Sequence, residues 1–295
     1  MLVLVVTLIL WASAFAGIRA AVPAYGPGQL ALLRFLVASA ALAAFAAVGR
    51  IRLPQARDLP AVFLSGFLGV AVYHVALNYG ETTVTAGAAS LLVGTVPLFT
   101  GLLATALLKE QLGRRGWVGI VVSFGGAALI ALGEAGGVRF DGGAFLVLLA
   151  AVSQSLYFIL QKPYLQRYTP LEFTAYAIWA GTALLLIFLP GLPERLASAP
   201  APATLAVVYL GIFPGALAYV TWARVLSRTP ASKATSFLYL VPLLAIAIGW
   251  AWLGEVPTAL TWLGGMGTLV GVALVNRRSG GGVAPHRIAS ESRCR

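Results

Sequence analysis

Polar side chains interrupt this otherwise apolar sequence, and their spacing decides which of them could meet a solute. Gln154, Tyr157 and Gln161 share one helical face, with Ser153 and Ser155 beside them. At ~1.5 Å per residue, Ser153 and Gln154 lie about 15 Å into their apolar stretch, and Trp11 and Ser13 reach a similar depth in the first one. Neutral amides, hydroxyls and an indole can hydrogen-bond a zwitterion while offering apolar walls. The same groups also tie membrane helices together, at ~0.6 kcal/mol per pair, and both readings stay open. Tyr73, His74 and Asn78 form a second group, Tyr219 and Trp222 a third. His74 is the only histidine at membrane depth. It suits pH sensing or contact with a substrate carboxylate, unless a packing hydrogen bond consumes it. Gly87, Ser90, Gly94 and Pro97 recur at helical spacing, as do Ser232, Thr235, Tyr239 and Pro242. A proline inside a membrane helix removes one bond and permits a bend. Pro97 and Pro242 therefore read as hinges with Gly94 at the gate, against the alternative of small-residue packing.

Other chemistries lack their parts. Intramembrane hydrolysis needs a nucleophile beside a base, or paired aspartates, and neither constellation occurs, so no enzyme is expected. A lone cysteine, Cys294, excludes an intramolecular disulfide framework, and no CxxC or HExxH spacing offers zinc; no metal or cofactor is expected. The net charge of +11 raises nucleic acid as a partner. Its basic residues fall in alternate loops instead of one patch with interleaved aromatics, which speaks against it.

Long apolar elements must carry these groups. With 60% hydrophobic residues, 10% charged and a mean hydropathy of +0.91, the 295 residues cannot form one water-soluble core. A membrane helix takes about 20 residues, so ten spans would consume roughly 200 and leave short loops. Ten stretches are legible: Leu2 to Ala20, Gln29 to Val48, Leu59 to Tyr79, Ala86 to Leu108, Gly116 to Leu132, Gly143 to Leu160, Leu171 to Leu189, Thr204 to Val225, Ala231 to Leu253 and Ala259 to Asn276. Pro23 and Pro27, Pro54, Gly136 and Gly137, Pro190 and Pro193, and Pro257 punctuate the joints. Arg19 arrives only at the far end of the first stretch, so that stretch reads as a retained helix and not a cleaved signal peptide.

Basic residues mark alternate loops. Arg50, Arg52 and Arg57 follow the second stretch, Lys109, Arg114 and Arg115 the fourth, Lys162 and Arg167 the sixth, and Arg224, Arg228 and Lys233 surround the turn after the eighth; Arg277 and Arg278 follow the tenth. The opposite loops hold Arg19, Arg139 and Arg195 among Glu81, Glu134, Asp141, Glu194 and Glu255. By the positive-inside rule both termini are cytoplasmic, and one missing helix would scramble every later loop.

Ala89 to Ile130 aligns without a gap onto Ala234 to Val275 at a constant offset of 145, with twelve identities. Pro97 meets Pro242, Glu110 meets Glu255, Trp117 meets Trp262, Gly119 meets Gly264 and Gly126 meets Gly271. Two halves of five helices, 1–133 and 134–278, then enter the membrane from opposite sides, an all-α inverted repeat followed by a disordered, dispensable tail at 279–295. Inverted repeats place a site near the midplane between halves, exposed to either side in turn.

The opening WASAFAGIR at Trp11 to Arg19, LLRF at Leu32 to Phe35, VPLFTGLLATALLKEQL at Val96 to Leu112 and VPLLAIAIGWAWLGEVPT at Val241 to Thr258 together resemble a drug/metabolite transporter superfamily permease of the EamA type, over roughly residues 2 to 276. The resemblance implies a ten-helix bacterial inner-membrane exporter of small molecules, with a cavity lined by spans one, three, four, six, eight and nine. Aromatic amino acid exporters are the nearest subgroup it suggests. Amino acids, especially bulky neutral ones, are the expected solutes, with nucleosides, sugars or toxic metabolites and drugs as alternatives. The resemblance also carries an arginine at Arg34, about 9 Å inside its span, where it must snorkel or find a partner. A structural anchor near the outer vestibule is the reading preferred over substrate capture. Glu110 and Glu255 read as turn or cap groups, and Trp117, Trp179 and Trp262 as interfacial belts.

No acidic residue lies near the middle of any span, which leaves no evident site for a driving ion. Facilitated efflux or exchange is expected, and His74 is the first suspect if protons are coupled. Besides the bilayer and a small solute no partner is required. A monomer suffices, with a dimer through the GxxxG spacing of Gly267 and Gly271 as the alternative.

Overall fold

The computed structural model describes residues 2–49, 51–83, 89, 92–133, 142–244 and 259–276. Gly87, Ser90, Gly136, Gly137, Glu255, Pro257 and the tail, Cys294 included, lie outside them, as do Arg50, Glu134, Arg139, Asp141, Arg277 and Arg278. The described residues form helices and turns, with no strand among them. In chain order the elements are α1 (Leu2–Tyr25), α2 (Pro27–Gly49), α3 (Ala56–Gly80), α4 (Val96–Leu107), α5 (Arg114–Gly133), α6 (Gly142–Tyr164), α7 (Pro170–Phe188), the short α8 (Leu192–Ser198), α9 (Ala201–Arg228), the short α10 (Ala231–Ser236) and α11 (Ala259–Asn276). Helices α2, α3, α6, α7 and α9 are long and apolar enough to cross a bilayer, and α6 is the most enclosed of the five.

Helix ends follow local chemistry. α1 runs past Ala20 and through Pro23, which forfeits one bond near the end, and stops at Gly26, whose φ of 72° suits a residue without Cβ. Pro27 then opens α2, where a missing N–H costs nothing. Thr169 and Glu172 form a capping box at the start of α7. The joint holding Pro190 and Pro193 contains α8, started by Gly191 at φ 77° with Pro193 in its first turn.

Two departures from regular helix matter for the site. α3 contains a π turn at Phe67–Val72, and α9 another at Gly211–Leu217. Adding the 145-residue offset to the first gives 212–217, the second within one residue. The stretches expected to be continuous at Ala86 to Leu108 and Ala231 to Leu253 are both interrupted. Helix at Leu92 and Val93 yields to a turn at Gly94 and Thr95 before α4 begins, and α10 yields to a 3₁₀ turn at Phe237–Tyr239 before helix resumes at Leu240. Each break precedes a proline, whose ring opposes the carbonyl four residues earlier, Val93 for Pro97 and Leu238 for Pro242.

α5 and α11 run antiparallel with backbones in contact. A Cβ on Gly119 would lie 2.7 Å from the Gly271 carbonyl oxygen, and one on Gly126 would lie 2.5 Å from that of Gly264. These are one contact made twice, since Gly264 and Gly271 are the offset counterparts of Gly119 and Gly126. Between them Ser123 Oγ donates to the Thr268 carbonyl at 3.3 Å. Gly271 and Gly267 thus face α5 within the chain, so the dimer face read from their spacing is already occupied.

Gly126→Leu should push α5 off α11, at a cost of roughly 1–3 kcal/mol. The variant should melt earlier in detergent by fluorescence-detected size exclusion. Gly125→Ala, whose new methyl meets nothing within 4 Å, should melt like the parent. Equal melting of the two variants would refute this packing.

Candidate functional site

The site grows out of the two π turns. Such a turn takes one residue more than the α ladder and shifts the carbonyls around it. In hydrocarbon these need protein donors, because water is absent. In α3, the Gly69 carbonyl accepts the Tyr219 hydroxyl at 3.1 Å, and the Leu68 carbonyl accepts Ser153 Oγ at 2.8 Å. In α9, the carbonyl of Pro214, offset counterpart of Gly69, accepts Trp11 Nε1 at 3.3 Å. Gly69 also leaves room for the Tyr157 ring, since a Cβ there would lie 2.7 Å from a ring carbon.

A directed chain of hydrogen bonds follows. Arg34 Nη1 lies 3.4 Å from His74 Nδ1, and His74 Nε2 lies 2.9 Å from the Tyr219 hydroxyl. A guanidinium can only donate, so Nδ1 accepts and the ring proton sits on Nε2. That proton goes to Tyr219, which passes its own to Gly69. His74 and Tyr219 are 145 residues apart, so the central bond joins offset counterparts.

Around this chain lies a cavity walled by Trp11, Phe15, Arg34, Tyr73, His74, Gln154, Phe158 and Tyr219, together with Val93, Gly94, Val96, Leu238, Val241 and Pro242. About 70 Å³ of it is open to the centres of water-sized molecules. That is room for several waters, since one needs about 10–15 Å³ on this measure. Val93 and Leu238 are offset counterparts, as are Val96 and Val241. The aromatic wall is continuous: the Trp11 ring lies 5.8 Å from Tyr219, 6.4 Å from Phe158 and 5.2 Å from Trp222.

Of the residues singled out in the sequence, Trp11, Tyr73, His74, Gln154, Tyr219, Gly94 and Pro242 lie on this wall. Trp222 and Tyr157 pack directly behind it, against Phe158. Ser13 bonds Tyr209 on α9 at 2.6 Å, and Asn78 donates to the Pro27 carbonyl at 3.0 Å; both tie helices together. Gln161 is fully buried off the wall, Tyr239 packs with Val272 beside Phe124, and Pro97 is buried in the first turn of α4. Arg34, read as an anchor, is on the wall. Phe15 and Phe158 gave no signal separating them from ordinary apolar packing. No three His, Cys, Asp or Glu side chains gather as a metal set among the described residues.

At the end of the bundle where α6 finishes, charged groups join loops. Glu110 accepts the Ala231 and Ser232 backbone N–H groups at 2.7 and 3.1 Å and the Ser232 hydroxyl at 2.8 Å. Lys162 donates to the Leu226 and Thr229 carbonyls at 3.0 and 2.6 Å and lies 3.9 Å from Glu110. Nearby in sequence, Arg167 and Tyr168 hold the buried Asp58 at 3.3 and 2.7 Å. Glu110 is thus a cap, on a helix 121 residues away.

The model of the EamA-like transporter family matches residues 1–132 and again 141–277, and the chain belongs to that family. It is 48% identical to the uncharacterized transporter YdfC of Bacillus subtilis (strain 168), over 89% of this chain and 86% of that one. It is 45% identical to a probable terminal-alkyne amino-acid exporter of Streptantibioticus cattleyicolor, over 94% and 93%. A protein crystal structure superposes with a TM-score of 0.76 at 21% identity, covering 93% of this chain and 95% of that one, and shares the fold. The protein is therefore a membrane transporter.

Tyr219→Phe removes the partner of both His74 and the Gly69 carbonyl in a buried site, at about 1–3 kcal/mol. We expect an earlier melt in detergent and slower solute flux. Tyr25→Phe, which loses only a part-buried bond to Thr204, should change less. A Tyr219→Phe protein with parental melting and flux would refute the coupling of site and stability.

Proposed function

We propose that this EamA-family transporter exports amino acids across the bacterial inner membrane by alternating access, as ten spans in two inverted five-helix repeats with both termini cytoplasmic. The observation that carries the reading is the cavity wall, to which both halves contribute at equivalent positions: Val93 with Leu238, Val96 with Val241, His74 with Tyr219. A solute held there touches both halves, so rocking one against the other can release it to either side. The double family match, the paired π turns, the breaks before Pro97 and Pro242 and the self-matching α5–α11 contact support the repeat. The alternating basic loops support the orientation.

Amino acids as solutes draw support from the relative named as an amino-acid exporter and from a wall combining aromatic rings, an amide and a guanidinium. Among the described residues no carboxylate lies on that wall, which supports facilitated efflux or exchange without a bound driving ion. Pro97 and Pro242 serve as hinges, each releasing the turn before it. Glu110 and Lys162 close the cytoplasmic end in this conformation.

Purified protein in liposomes should show saturable amino-acid counterflow. An imposed proton gradient alone should not concentrate the solute; accumulation under that gradient would sink the uncoupled mechanism. In a Cys294→Ser background, the thiol of Gln154→Cys should react with impermeant maleimide from either side in turn. Adding Glu110→Gln should raise its reactivity from the cytoplasmic side several-fold. A thiol sealed from both compartments would overturn alternating access through this cavity.

A further inference from the structure

Arg34 is 2% exposed, yet it stands on the cavity wall and has no ion pair among the described residues. Its hydrogen-bond partner is the neutral His74 ring at 3.4 Å, and its Nε has none. The Phe35 ring lies 5.6 Å from its guanidinium carbon. A cation inside a membrane protein is costly unless a counter-charge reaches it; the Glu81 carboxylate acts on Arg34 without a salt bridge, and the other polar groups that described residues place on the wall, from Trp11, Tyr73, His74, Gln154 and Tyr219, are neutral. On the same wall Gln154 is 4% exposed, and its carbonyl oxygen Oε1 has no donor. The cavity therefore offers a cation with no salt bridge among the described residues, linked to Tyr219 through His74, and an acceptor with no donor.

We propose that Arg34 is the specificity-determining residue for the solute's carboxylate, with Gln154 Oε1 accepting from its ammonium group, so that the zwitterionic end is read in the cavity while the side chain packs on Trp11, Phe15 and Phe158. The assignment rests on the transport reading above and adds which end group is recognised and by which atoms. A planar guanidinium matches a carboxylate with two parallel donors. His74 takes one donor and fixes the fork's orientation, acting as a positioning residue. The Glu81 carboxylate acts on Arg34 without a salt bridge, and the solute supplies the contacting carboxylate that no described residue provides.

The test is competition against amino-acid counterflow in proteoliposomes, using phenylalanine, its carboxamide and 3-phenylpropionate. The carboxamide keeps the ring and the amine and loses the anionic end. The parent protein should prefer phenylalanine over the carboxamide by about tenfold or more. Arg34→Gln should erase that preference, with both compounds competing equally. Arg34→Lys should keep part of it, because the charge remains without the fork. Gln154→Leu should narrow the gap between phenylalanine and 3-phenylpropionate and leave the carboxamide discrimination in place. If Arg34→Gln fails to give monodisperse protein, the parent and Arg34→Lys decide the matter. A parent that ignores the carboxamide change, or an Arg34→Lys protein with parental discrimination, overturns the assignment. Failure of the transport reading looks different: no amino-acid counterflow by the parent at all, which removes both.

Discussion

A main-chain carbonyl displaced inside a bilayer has no water to turn to, and the site of this transporter depends on how that constraint is met. The π turns at Phe67–Val72 and Gly211–Leu217 disturb the ladder in mid-span, and Tyr219, Ser153 and Trp11 are the donors that answer it. Polar residues are expensive at this depth, so they concentrate where irregular backbone gives them a use. Once there, Tyr219 and Trp11 also form the wall of a cavity. Backbone irregularity, side-chain polarity and the cavity therefore coincide for one physical reason.

The direction of the hydrogen bonds has an electrostatic consequence. From guanidinium to imidazole to phenol to carbonyl, each donor faces one acceptor, and the positive charge stays on Arg34 at the head of the chain. A second proton on His74 would set two donors against each other at Nδ1, so the ring holds Arg34 in place only while it is neutral. Among the described residues the rest of the wall is aromatic, aliphatic or uncharged, and Arg34 is its one charged group. That field favours an anionic group over a cationic one before any fine contact is made.

Much of this was legible in the residues. Long apolar stretches between prolines and glycines marked the five helices long enough to cross a bilayer, and the offset of 145 linked Gly119 with Gly264 and Pro97 with Pro242. Trp11, His74, Gln154 and Tyr219 stood out because polarity at membrane depth is costly. The π turns did not, since FLGVAV and GIFPGAL are as apolar as any membrane helix and one extra residue leaves no compositional trace. The breaks at Gly94–Thr95 and Phe237–Tyr239 were read as bends, because a proline marks where a helix must yield without saying by how much. Phe15 and Phe158 resembled core residues until a neighbouring void distinguished them. Arg34 was legible as a problem, a charge too deep to be idle. Its place on a cavity wall is a long-range fact about α2, α3 and α9 that no local pattern carries.

If the two halves exchange shapes during transport, as proposed, the offset sorts contacts into two kinds. A contact between counterparts is its own image, so the exchange returns it unchanged. His74 with Tyr219 is of this kind, and the two glycine contacts of α5 and α11 map onto each other. These can hold in both states and act as the fulcrum. The bond from Tyr219 to the Gly69 carbonyl is of the other kind: its image joins His74 to Pro214, whose carbonyl Trp11 occupies here. Contacts of this second kind must be surrendered when the halves trade roles, which makes them the gates. The invariant His74–Tyr219 bond then keeps Arg34 aimed at the cavity whichever side is open, so the recognition of the solute's charge need not be rebuilt on each passage.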